Sequence, residues 1–156
     1  MDKKQILESI IATLQQEVDV ISAAAKESRQ FATDAENRAE DKYDTRATET
    51  SYLADGQGRV ALEMRESLEM FRSMELKAFP PGQAIALSAL VEVEQGGMRD
   101  LYFLGPRAGG QTVTIEGREI YVVTPQSPLG AKLLGQLEGA SIALAPGRSG
   151  RIVRVE

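Results

Sequence analysis

The first half of the chain has apolar or small residues at alternating three- and four-residue intervals, the a/d pattern of a coiled coil. The two series consist of Leu7, Ile11, Leu14, Val18, Ile21, Ala25, Ser28, Ala32, Ala35 and Ala39, and of Ala47, Thr50, Ala54, Gln57, Ala61, Met64, Leu68 and Phe71. We predict helices over residues 3–40 and 46–76, joined by a turn near Tyr43.

Large and small residues follow one another in opposite order in the two series. Large residues such as Leu7 and Ile11 start the first series, which ends in alanines, whereas the second starts at Ala47 and ends with Leu68 and Phe71. If the chain folds back between the two series, large residues meet large ones and small residues meet small ones. The sequence therefore favours an antiparallel helical hairpin over one long helix that dimerises.

The second half has the alternating apolar runs and turn residues of a β-rich domain. All six prolines and 12 of the 14 glycines lie in 80–156. Ser127 suits an N-cap and Pro128 suits the first position of a short helix. The predicted strands are 86–94, 98–104, 111–115, 119–124, 141–145 and 151–155. The fold class is α+β, with domains at 1–78 and 79–156.

The charges and the missing residue types exclude several functions. Residues 1–78 carry 11 Lys/Arg and 16 Asp/Glu, and residues 79–156 carry seven of each, so the net charge of −5 belongs to the first half. This balance argues against a generic nucleic-acid binder. Because the chain has no Cys and no His, disulfides, thiolate zinc sites, histidine metal sites and His-containing catalytic triads are excluded. No signal peptide or membrane-spanning segment is recognisable, which predicts a cytoplasmic protein.

Two segments resemble the Gre transcript cleavage factors of bacterial RNA polymerase. The stronger match begins Ser127-Pro128-Leu129-Gly130, continues as Ala-Lys-Leu-Leu-Gly, and is similar to the family pattern S-P-[LI]-[GA]-x-x-[LI]-[LI]-G. The second is the segment between the two helices, where Asp41 falls on the family's tip aspartate and Asp44 on its tip glutamate. The resemblance covers most of the chain in architecture, and residues 85–156 in sequence.

The resemblance implies a factor that binds RNA polymerase and inserts its hairpin through the secondary channel. Asp41 and Asp44 would help to hold a magnesium ion shared with the polymerase. The protein would act in trans on the polymerase active site, touch the nascent RNA 3′ end only indirectly, and have no enzymatic activity or stably bound cofactor of its own. The second domain would be FKBP-like and dock at the channel rim through Ser127, Pro128, Leu129 and Gly130. A monomer away from membranes is expected.

The residues leave alternatives open. The tip has Glu40, Lys42 and Asp44 where the family has glycine, an aliphatic residue and glutamate, so the hairpin either stimulates RNA cleavage or regulates by occupying the channel. A generic coiled-coil interaction protein is the alternative from another class, which an exposed apolar stripe outside the seams would favour. An FKBP-type isomerase is disfavoured because Tyr102, Phe103 and Tyr121 offer too little aromatic surface for its pocket.

The basic residues of the hairpin alternate with acids along the sequence. We therefore interpret them as partners in surface salt bridges, each contributing little to stability, rather than as a nucleic-acid contact. They are Lys26, Arg29, Arg38, Arg46 and Arg59.

Overall fold

A computed structural model of the chain describes residues 1–38 and 46–156, apart from the side chains of 32, 35–38, 46–48, 50 and 51. The elements, in chain order, are α1 Lys3–Arg38, α2 Arg46–Arg72, β1 Leu90–Gln95, β2 Met98–Leu104, β3 Thr112–Ile115, β4 Arg118–Val123, α3 Pro128–Leu133, β5 Ser141–Ala145 and β6 Arg148–Val155. The α+β class and the two long helices are confirmed, although α2 ends earlier than predicted. No helix in the described ranges is long and apolar enough to cross a membrane.

The described residues form two compact units. The hairpin unit is Ala12–Glu69, and the sheet unit combines Met1–Ile11 with Met70–Glu156. The beginning of α1, up to Ile11, and the end of α2, from Met70, therefore belong to the same unit as the sheet. The division of the chain into domains at 1–78 and 79–156 stays a prediction.

The two helices of the hairpin unit run antiparallel, as predicted. Arg65 donates a hydrogen bond to the Ser22 hydroxyl at 2.9 Å. Seven residues further along α1, the Arg29 guanidinium lies against Gly58, which is seven residues earlier in α2. The predicted turn near Tyr43 lies outside the described residues.

The predicted seam is buried along most of its described length. Its buried members in the hairpin unit are Leu14, Val18, Ala25, Ala54, Ala61 and Leu68. At the start of α1 the expectation is wrong, because Leu7 and Ile11 are half-buried while Ile6 and Ile10 are fully buried. These first turns belong to the sheet unit, so their apolar face is not set by the coiled-coil seam.

The six strands form one sheet in the order β3-β4-β2-β1-β6-β5. All neighbouring strands are antiparallel except β2 and β4, which are parallel and place Tyr102 beside Tyr121. One apolar cluster includes Leu133 of α3 together with sheet residues such as Leu104 and Val123. A side-chain carbon on Gly105 would meet both Phe71 and Val122, so the end of α2 also packs against the sheet.

The first strand begins at Leu90 rather than at residue 86, and Ser88 explains the difference. Ser88 is fully buried and has φ of 72°, which an extended strand cannot accommodate. Its hydroxyl accepts a hydrogen bond from the Lys77 N–H at 2.9 Å, and its carbonyl accepts one from Lys3 Nζ at 3.2 Å. The strained residue therefore joins three segments of the sheet unit.

Candidate functional site

Ser127 organises the loop that leads into α3. Its Oγ accepts hydrogen bonds from the backbone N–H groups of Gly130 at 3.1 Å and Thr124 at 3.2 Å. The same hydroxyl donates to the Thr124 carbonyl at 2.8 Å. This is the N-cap expected of a serine that precedes a proline at the first helical position. The predicted local structure is confirmed, and we call residues 124–130 the Ser127 loop.

Gly130 is needed where the Ser127 loop closes on itself. It is buried, and a Cβ at this position would lie 1.9 Å from the Thr124 carbonyl oxygen. No rotation of a side chain relieves that overlap, because the opposing atom belongs to the backbone. Gly130 therefore shapes the loop from within, and among the four residues Ser127–Gly130 it is Pro128 that is exposed.

Leu129 is half-buried, and with Pro128 it borders a groove on the sheet face that carries α3. The groove has a volume of about 480 Å³. We call it the tyrosine groove; its lining residues are Asp100, Tyr102, Gly110, Tyr121, Val122, Val123, Ser127, Pro128 and Leu129. The sequence-predicted docking residues thus lie beside a concave surface of the sheet unit.

Both tyrosines of the groove have carboxylate neighbours. The Tyr121 hydroxyl donates to Glu119 Oε2 at 2.9 Å, and the Tyr102 hydroxyl lies 3.5 Å from Asp100 Oδ2. Burial and then the charge of Asp100 raise the pKa of Tyr102 above its usual range. The hydrogen bond to Glu119 and the charge of that carboxylate raise the pKa of Tyr121. The phenols therefore stay neutral well above physiological pH.

Tyr102, Phe103 and Tyr121, judged from the sequence to be too few for an isomerase pocket, do not all lie together in the structure. Tyr102 and Tyr121 have ring centroids 5.9 Å apart, whereas Phe103 is fully buried and is not part of the groove lining. The role of Asp100 in the groove was missed. The parallel pairing of β2 with β4 brings these residues together, and the sequence gives no direct signal for it.

The hairpin unit has a basic depression of about 440 Å³ between its helices. Lys26 and Arg29 of α1 and Arg65 of α2 line it together with Gly58. A Cβ on Gly58 would lie 3.0 Å from Arg29 Nη2, so the glycine leaves room for the guanidinium.

The expected salt bridges of the hairpin are not found in the part of the chain that the structure describes. There, no ion pair joins Lys26, Arg29 or Arg59 to a carboxylate. The side chains of Arg38 and Arg46 lie outside the description. Lys26 and Arg29 have no acid three or four residues away on their own helix, where helical neighbours lie. Arg59 has Asp55 and Glu63 at that spacing, but it pairs with neither.

Asp41 and Asp44, the proposed metal-binding acids, lie outside the described residues. Their arrangement therefore stays a prediction. Among the acidic side chains that the structure describes, no three are grouped closely enough to hold a metal ion.

No protein-family model and no curated protein matches the chain. Solved structures do. A structure of GreA factor homolog 1 (Gfh1) from Thermus thermophilus is 17% identical with a TM-score of 0.37, and the match covers 94% of each chain. A structure of the transcription factor Gfh1 is 20% identical with a TM-score of 0.39, over 95% of this chain and 94% of that one. A structure of Gfh1 from Thermus aquaticus is 17% identical with a TM-score of 0.38, and the match covers 93% of this chain and 92% of that one. Values this low do not establish a shared function.

Proposed function

We propose that this protein is a Gre-type regulatory factor of bacterial RNA polymerase. The observation that carries the proposal is the Ser127 loop, where the family-like motif forms a capped helix start that exposes Pro128 beside the tyrosine groove. The antiparallel pairing of α1 with α2 supports it as well, because a long hairpin is the second part that such a factor needs.

In this proposal the two units have separate tasks. The sheet unit docks at the rim of the secondary channel through Pro128 and Leu129, while Ser127 and Gly130 hold the loop in shape. The hairpin occupies the channel and brings Asp41 and Asp44 to the polymerase active centre. The protein acts there in trans and is not itself an enzyme.

The donor set of Asp41 and Asp44 fits magnesium, which prefers oxygen ligands and commonly takes one or two carboxylates. A magnesium ion shared with the polymerase supplies Lewis-acid activation of water when it is bound. The contribution of this chain is to place two negative charges at the end of a hairpin that has an excess of acids.

An alternative within the same function is a hairpin that occupies the channel without stimulating cleavage. The tip residues Glu40, Lys42 and Asp44 differ from the family pattern, and they alter the charge and reach of the tip. Regulation without cleavage then follows from blocking the channel, and both forms require docking on the polymerase.

A coiled-coil interaction protein is the second candidate, and exposed apolar side chains of the hairpin unit favour it. They are Val20, Phe31, Tyr52, Leu53, Val60 and Leu62. A hairpin that pairs with another helical protein would use such residues. Wild-type protein that fails to bind polymerase would favour this candidate.

The proposal is tested by transcript cleavage in stalled, backtracked complexes of bacterial polymerase. Replacing Asp41 and Asp44 by Asn removes the tip charges at nearly constant size. Loss of ~3 kcal/mol of transition-state stabilisation lowers the rate by more than a hundredfold, so stimulated cleavage should fall to the intrinsic polymerase level. The control variant, Glu63→Gln with Glu66→Gln, removes the same charge from α2 and should stimulate cleavage as wild type does.

Two outcomes contradict parts of this proposal. Stimulation that persists unchanged in the Asp41/Asp44 variant would refute the metal-binding role of the tip. Wild type that binds polymerase but stimulates no cleavage would refute the cleavage form and leave channel occupancy.

A further inference from the structure

The tyrosine groove has a chemical character that the docking role alone does not explain. Tyr102 and Tyr121 are paired across the parallel strands β2 and β4 and lie on the same face of the sheet. Their rings are tilted by 36° with centroids 5.9 Å apart, so together they form an aromatic wall. Pro128 and Leu129 border the same groove.

Negative charge is concentrated at this aromatic wall. Asp100 is the charged residue among the groove-lining residues, and Glu119 is bonded to the Tyr121 hydroxyl just outside the lining. No lysine or arginine belongs to the lining. Both carboxylates are acceptors with capacity left over, because a phenol hydroxyl occupies only one of several lone-pair positions.

Neutral tyrosine rings next to carboxylates attract a cation by two mechanisms. The ring faces carry partial negative charge that favours a cation within about 6 Å. The carboxylates add a Coulomb attraction and accept N–H hydrogen bonds. An anion would be repelled, and a purely apolar ligand would cover the Asp100 carboxylate without satisfying its remaining acceptor positions.

We propose that the tyrosine groove receives an arginine side chain of the protein on which the sheet unit docks, with the guanidinium over Tyr102 and Tyr121 and paired to Asp100. Arginine is preferred to lysine because a planar guanidinium stacks on rings and forms bidentate pairs with carboxylates. The inference rests on the proposed docking function and specifies the partner chemistry that the groove selects.

The first test uses RNA polymerase and three variants of the full chain. Tyr121→Leu should raise the dissociation constant about tenfold, and Asp100→Asn should raise it about fivefold and weaken its dependence on salt. Glu116→Gln removes an exposed carboxylate outside the groove and should bind like wild type. Wild-type affinity and salt dependence for both groove variants would overturn the inference.

The second test needs no polymerase, so it separates this inference from the proposed function. N-acetyl-arginine methylamide and the uncharged N-acetyl-citrulline methylamide are titrated into the full chain while the Tyr102 and Tyr121 ring resonances are followed by NMR. The arginine probe should shift both resonances in a saturable manner, the citrulline probe should not, and Asp100→Asn should weaken the response. Equal responses to the two probes, or none to the arginine probe, would overturn the inference even if polymerase binds.

Discussion

The two units of the molecule use glycine in opposite ways. In the hairpin unit, a Cβ added at Gly56 would have no neighbouring atom within 4 Å, and one added at Gly58 would meet only the flexible end of Arg29. In the sheet unit, Gly105 and Gly130 face an aromatic ring and a backbone carbonyl at distances that exclude any side chain. At Gly105 and Gly130 the sheet unit leaves no room for a side chain, whereas neither glycine of the hairpin unit is enclosed in this way.

This difference matches the tasks proposed for the two units. A docking surface must keep a fixed loop shape, and the Ser127 loop is held by three hydrogen bonds of 2.8 to 3.2 Å. A hairpin must keep only its antiparallel pairing and its charge, and its seam is largely made of small residues near the tip. The distribution of constrained and tolerant positions agrees with the proposed tasks, and the following substitutions test it.

The largest expected effect comes from comparing two phenylalanines, one in each unit. Phe71 is fully buried in the sheet unit, whereas Phe31 of the hairpin unit is 71% exposed. Phe71→Ala should lower the free energy of unfolding by about 3–5 kcal/mol because it leaves a cavity. Phe31→Ala should change it by less than about 0.5 kcal/mol. Urea unfolding followed by circular dichroism measures both, and equal losses would contradict the comparison.

Gly130→Ala should be the next most damaging change. The added Cβ cannot avoid the Thr124 carbonyl, so the Ser127 loop must open, at a cost of about 3 kcal/mol. The unfolding free energy and the backbone resonances of 124–130 report the change. Native stability with an unshifted loop would show that the described loop geometry is wrong.

Gly56→Ala is the same substitution in the hairpin unit and should have the opposite sign. Alanine favours a helix interior by about 1 kcal/mol over glycine, and open space surrounds this position. We expect a higher helical melting temperature for Gly56→Ala. A lower one would mean that the hairpin unit, too, constrains its glycines.

The smallest effect concerns ionisation of the sheet unit's tyrosines. The folded-state pKa of Tyr102 and Tyr121 is raised above the ordinary value of 10.0. Their contribution to stability is thus fully present below pH 10 and is lost as the pH rises through the raised folded-state pKa. Absorbance titration near 295 nm should show late phenol ionisation that Tyr102→Phe with Tyr121→Phe removes. A late phase that persists in this double variant would contradict the assignment.

Much of the fold was predictable from the sequence because its signals are local. Heptad spacing gave α1 and α2, alternation and glycine turns gave most strands, and Ser127-Pro128 gave the start of α3. The failures arise from tertiary contacts. The first strand begins later than predicted because buried hydrogen bonds hold Ser88 at positive φ.

The candidate site was predictable only in part. The Ser127–Gly130 motif located the docking loop, but neither Asp100 nor the tyrosine pair signals a groove. Their proximity depends on the parallel pairing of β2 with β4, two strands separated by β3 in the chain. Non-local pairing of this kind leaves no periodic trace in a single sequence.

Docking of the Ser127 loop on RNA polymerase is tested by the affinity of a Pro128 variant. Pro128→Ala removes the exposed ring from a helical position where alanine is tolerated, so the sheet unit should stay folded. Pro146→Ala is the matched control, because Pro146 is an exposed proline in the β5–β6 turn. We expect Pro128→Ala to raise the dissociation constant for polymerase about tenfold, or about 1.4 kcal/mol, while Pro146→Ala binds like wild type. Equal, wild-type affinity for both variants would contradict docking through the Ser127 loop.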